Sequence, residues 1–127
     1  MIEQPLINHL SFPRGLRLTT KADFQTVFDQ SSKVNQKFML VLYRANQKPH
    51  ARLGMLVGKR AVSDAADRNR IKRILRESFR HCQEKLKGFD VVVIVRHQCD
   101  TLSSSQLREG IENLWEKLQT HYQNSLR

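Results

Sequence analysis

Four cations stand four residues apart in the stretch DRNRIKRILRESFRH, Asp67 to His81: Arg68, Lys72, Arg76 and Arg80. Asn69 and Arg73 repeat the interval beside them. On a helix, residues i and i+4 share a face, and like charges at that spacing repel by tenths of a kcal/mol per pair. At about 100° per residue, Arg68, Asn69, Lys72, Arg73, Arg76 and Arg80 fall on one arc, and Ile71, Ile74, Leu75 and Phe79 on another. Arg70 and Glu77 fall outside the cationic arc. Solvated faces ordinarily mix signs, and this one does not. Arg68 and Arg70 also stand near the helix N-terminus, where the macrodipole disfavours cations. These penalties bring no structural return, so the segment reads as a surface that holds a polyanion, most simply a phosphate backbone.

The whole chain leans the same way. Its 127 residues hold 22 Lys or Arg against 12 Asp or Glu, a formal net charge of +10. Nine of those cations and only three of those acids lie between Ala51 and Arg80. Such concentration attracts nucleic acid by long-range steering and counterion release. A membrane surface fits less well, because the apolar residues of the segment are committed to a core. No other chemistry stands out: there is no cluster of carboxylates, no Cys/His pairing and no Gly-rich phosphate loop beside a nucleophile. Asp64 and Asp67 serve the start of the basic helix better than they would serve a metal. Cys82 and Cys99 are isolated and read as reduced and buried. His81 and His97 lack metal spacing and read as lying beside the basic surface or in solvent.

The length fits one domain over residues 1–127, with a core at about 14–122 and a flexible lead-in at 1–13. The longest apolar run, VVVIV at Val91–Val95, is too short to span a bilayer. The N-terminus lacks the pattern of a secretory signal, so the cytoplasm is the expected compartment.

Several elements must carry these residues. Thr20 caps a first helix, with Asp23 at its capping-box position and Phe24, Val27 and Phe28 on one face. Residues 37–44 (KFMLVLYR) and 51–60 (ARLGMLVGKR) read as strands. In the second, Gly54 and Gly58 face one side, where something approaches the backbone. The basic helix is expected over Ala65–Lys87, stopped by Gly88. FDVVVIVR (89–96) reads as a buried strand. A last helix carries Leu107, Ile111, Leu114, Trp115, Leu118 and Tyr122. The result is an α/β (α+β) sandwich, order αβββαβα, with about four strands and three helices.

RNRIKRILRESFR (Arg68–Arg80), preceded by LGMLVGKR (Leu53–Arg60), resembles the signature of the protein component of bacterial ribonuclease P. FPRGLRL, KADFQTVF and FDVVVIVR extend the resemblance from about Phe12 to Tyr122. It implies a protein that is not itself the catalyst. The RNA subunit would cleave the 5′ leader from precursor tRNA, using Mg2+ held mainly by RNA and none by the protein alone. The protein would bind that RNA and the leader, as a monomer with one copy per RNA. Carried over by position, Arg68, Asn69, Arg70, Lys72 and Arg73 fall on the motif that contacts the catalytic RNA. Arg76 extends that face, and Lys59 and Arg60 match the basic pair ending the preceding strand.

The resemblance also places Phe24 and Phe28 in a cleft for the single-stranded leader, facing Met39 and Val41. By spacing alone the phenylalanines read as core. At Val41 some relatives carry an aromatic, so only apolar contact is expected there. The resemblance further implies a left-handed βαβ crossover, against the general rule. The competing reading is a stand-alone RNA-binding, chaperone or ribosome-associated protein. A protein-only nuclease would need an acidic metal cluster that the sequence lacks.

Overall fold

The computed structural model describes residues 17–18 and 20–126. The lead-in expected at 1–13 lies outside the described residues. Helix α1 (Lys21–Gln30) begins where Thr20 accepts a hydrogen bond from the Asp23 N–H at 3.0 Å, satisfying a donor the first turn leaves orphaned. Strand β1 (Ser32–Asn35) follows, then β2 (Met39–Ala45) and β3 (Arg52–Leu56). β1 has no place among the strands read from the sequence, because four residues with one buried side chain carry little periodic signal. Helix α2 (Ala65–His81), β4 (Phe89–Val95) and helix α3 (Ser104–Ser125) complete the order αβββαβα.

The sheet order is β1-β2-β4-β3, with β3 and β4 parallel and the other pairs antiparallel. Strand alternation divides the core in two. Met39, Val41, Tyr43, Leu53, Val91, Val93 and Val95 face α2 and α3. Leu42 and Val92, with Leu40 and Ile94 at the margin, face α1. The result is three layers: α1, sheet, and the α2–α3 pair. Trp115 joins the last two helices, its Nε1 donating to Ser78 Oγ at 2.9 Å and its ring meeting Phe79 edge-on. Full burial of side chains such as Leu75 and Phe79 stabilises by about 1.5–3 kcal/mol each.

Two boundaries differ from expectation. The basic helix ends at His81, with Cys82 as its C-cap, rather than running to Lys87. The chain must turn there to bury Leu86, and Gly88 at φ +86 makes the reversal into β4 instead of stopping the helix. β3 ends at Leu56, not residue 60. The next residues form a loop closed by Val62 N–H to Gly58 O at 3.0 Å, and Val62 is fully buried. Gly58 meets nothing within 4 Å, whereas Gly54 is closely approached, so the two glycines differ despite their spacing. Of the two thiols, Cys99 is buried but Cys82 is only half-buried.

Candidate nucleic-acid interface

Helix α2 starts where Asp64 accepts from Ala66 N–H at 2.7 Å, which commits that carboxylate to capping. Beyond it, Asn69 and Arg73 are exposed and Lys72 and Arg76 half-buried, while Ile71, Ile74, Leu75 and Phe79 enter the core. Among the described residues, no lysine or arginine of α2 other than Arg70 has an ion-pair partner, and Arg70 lies 3.9 Å from Asp67. Burial, and after it the charge of Arg17, lowers the Arg76 pKa. One turn on, Arg80 Nε is buried without an acceptor among the described residues. This is an electropositive face uncompensated by carboxylates.

Two of the expected contacts turn inward. Arg68 Nη1 donates to the carbonyls of Val62 and Ser63 at 2.9 and 2.8 Å, tying down the loop before its own helix. Arg70, which falls off the cationic arc, reaches Ser104 Oγ and the Asp100 carbonyl, both at 3.3 Å, and so braces the start of α3. Lys59 and Arg60 are exposed in the tied loop, not at a strand end.

The expected cleft needs a correction of one residue in register. Met39 and Val41, at 2% and 0% exposure, point to the α2–α3 core, on the opposite side of the sheet from Phe24 and Phe28. A slip of one residue along a strand exchanges its faces. The α1 side instead presents three cross-strand rows. Arg44, Asp90 and Arg52 form the first, Leu42, Val92 and Gly54 the second, and Leu40, Ile94 and Leu56 the third. Val27 of α1 is buried over the middle row, and a Cβ at Gly54 would stand 2.7 Å from the Phe24 ring. The third row is left partly open: Leu56 is 37% exposed, and Phe28 is 42% exposed beside Phe24 at a centroid distance of 6.4 Å.

A groove of about 640 Å³ continues from that row, lined by Leu56 and Ile94 and by Lys37, Arg60, Arg96 and His97. Arg96 is fixed on the β1–β2 turn through Gln36 O at 2.9 Å and Asn35 Oδ1 at 2.7 Å. Arg60 therefore belongs both to the basic loop and to the groove.

Sequence reasoning missed the row Leu40, Ile94 and Leu56: parity separates Leu40 from Met39 and Val41, but in strands apolar on both faces it does not say which set meets α1. It also missed the charged row. Asp90 is 1% exposed and accepts from Arg52 Nε and Nη2 at 2.8 Å each, from Asn46 Nδ2 at 2.9 Å and from Arg44 Nη1 at 3.3 Å. Burial alone would raise the Asp90 carboxyl. The hydrogen bonds from Arg52 and Asn46, and the charges of Arg52 and Arg44, outweigh burial and hold it below the ordinary range. Among the described residues no group of three or more His, Cys, Asp or Glu could hold a metal, and no helix is long and apolar enough to cross a membrane.

The Ribonuclease P family model matches residues 12–119. The chain is 45% identical over 108 residues to the ribonuclease P protein component of Pseudomonas aeruginosa, covering 84% of this chain and 80% of that one. For the Pseudoalteromonas atlantica protein component the identity is 44%, over 85% of this chain and 90% of the other. Among solved structures, the RNase P protein of Staphylococcus aureus is similar at a TM-score of 0.72 and 29% identity, covering 80% of this chain and 93% of that one. That of Thermotoga maritima, in complex with 1-(4-fluorophenyl)-2-thiourea, gives 0.72 and 32%, over 80% and 98%. The chain belongs to the ribonuclease P protein family, and its role is that of a subunit of this endoribonuclease in tRNA processing.

Proposed function

We propose that the chain grips the catalytic RNA of ribonuclease P with its loop 57–64 and helix α2, and receives the 5′ leader of precursor tRNA along the open row beneath α1. The observation that carries this reading is the continuity of two surfaces. A cationic face without compensating carboxylates shares Arg60 with a groove whose floor is apolar. Lys59, Arg60, Asn69, Lys72, Arg73 and Arg76 meet phosphates and release counterions. Arg68 and Arg70 hold the elements that present them. Phe28, Leu40, Ile94 and Leu56 offer apolar contact to unstacked bases, which needs no particular sequence.

Bond cleavage belongs to the RNA. Asp64 caps α2 and Asp67 faces Arg70. We assign Mg2+ to the RNA subunit, where it would supply Lewis-acid chemistry. This chain neutralises backbone charge and aligns the leader. We assign one protein monomer per RNA, acting in the cytoplasm.

Reconstitution tests this reading. With ribonuclease P RNA and precursor tRNA at low magnesium, adding the protein should restore leader cleavage. Tight RNA binding without restored cleavage would favour the stand-alone RNA-binding role instead.

A further inference from the structure

The third row is partly open, and two contacts tie α1 to the other two rows. At its first turn, Asp23 Oδ1 lies 3.6 Å from Arg52 Nη1. The other two nitrogens of Arg52 are committed to Asp90, whose carboxylate is further held by Asn46 and Arg44. A guanidinium bound through Nε and Nη2 to a buried carboxylate has a fixed plane, so its remaining nitrogen is a fixed point for Asp23. One residue on, Phe24 lies so close over Gly54 that a Cβ there would fall 2.7 and 2.8 Å from two ring carbons. One helical turn later comes Phe28, its ring 6.4 Å from that of Phe24 and 42% exposed.

We infer that the Asp90–Arg52–Asp23 chain, with the glycine seat under Phe24, is a positioning device that holds α1 in register over the sheet and so sets the gauge of the leader cleft. Asp23, Arg52 and Gly54 are positioning residues that act through Phe24 and Phe28. The inference rests on the reading of the open row as the leader site.

The test uses the full chain assembled with ribonuclease P RNA. The quantity read is the ratio of affinities for leader-bearing and leaderless tRNA. Asp23→Asn should lower that ratio about two- to fivefold, the size of a partly exposed ion pair. Binding of leaderless tRNA should be unchanged, and Asp23→Glu should restore most of the ratio. Thr20→Ala removes the acceptor for the Asp23 N–H but leaves the Asp23 carboxylate and Arg52 in place, so it should lower the melting temperature and leave the ratio alone. An unchanged ratio in Asp23→Asn, or an equal loss in Thr20→Ala, overturns the inference. Phe28→Ala separates the two levels. If it lowers the ratio while Asp23→Asn does not, only the positioning device is wrong; if it leaves the ratio intact, the leader site itself is wrong and the device falls with it.

Discussion

Arg68 folds back on Val62: its Nη1 donates to the Val62 carbonyl at 2.9 Å and, from the same nitrogen, to that of Ser63 at 2.8 Å. The cations of the signature segment therefore divide into those tied to acceptors of this chain and those left for the proposed RNA contacts. Phosphate contacts set the salt slope of binding, at about 0.7–0.9 per contact. Alanine at Lys72 and Arg73 together should flatten the slope of RNA binding by up to about 1.4–1.8. Arg68→Gln should instead speed amide exchange across Val62–Asp64 and change the slope less. A slope unmoved in the Lys72/Arg73 variant would remove α2 as the phosphate-binding element.

Phe24 and Phe28 should behave differently although they stand one turn apart. Phe28 is 42% exposed, so Phe28→Ala should shift the melting temperature by no more than about 2 °C. It should also cost about 1–3 kcal/mol of leader-dependent affinity. Phe24 is half-buried against Gly54, and its alanine variant should destabilise the fold by about 2–3 kcal/mol, short of a full core deletion. Thermal melts beside binding assays decide this, and a large melting shift in Phe28→Ala would make that ring core.

The buried charged row gives the protein an acid-sensitive joint. The folded Asp90 pKa lies below the ordinary value of 3.8. Its stabilisation is therefore complete above that value and is lost as pH falls through the folded one. Asp90→Asn should cost about 3 kcal/mol near neutrality by leaving the half-buried Arg52 with a weakened partner. The gap in melting temperature between the two proteins should narrow from pH 5 toward pH 2. A gap independent of pH would mean that the carboxylate charge contributes nothing.

The thiols should be sluggish. Burial, with the Asp100 charge adding to it, pushes Cys99 to about 11, and burial also raises Cys82. Both are neutral at physiological pH, and the neutral thiol is a poor nucleophile. With iodoacetamide at pH 8, mass spectrometry should find Cys82 labelled slowly and Cys99 labelled only on unfolding. Faster labelling at Cys99 would contradict its burial.

The helical half of the architecture was legible because its periods are long. The Ile71, Ile74, Leu75 and Phe79 stripe and the α3 stripe from Leu107 to Leu118 are buried as their spacing predicts. Register across the sheet was not. In KFMLVLYR both strand faces are apolar, so nothing in residue type says whether Met39 or Leu40 faces α1; packing decides. The fate of a guanidinium was equally hidden. Arg68 and Arg73 look alike on a helical wheel, yet only Arg68 stands within reach of carbonyls left open by the preceding loop. Asp90 passed unnoticed because its partners lie 38 to 46 residues away.

β4 is inserted between β2 and β3 in the sheet although it is made last of the four. A nascent chain that has not yet reached Phe89 has two strands with no common neighbour and no floor for the helix that follows them. Pairings that far apart along the chain close late and slowly. Until β4 is in place, the cations of the helix before it are strung along a chain without the floor that gathers them onto one face.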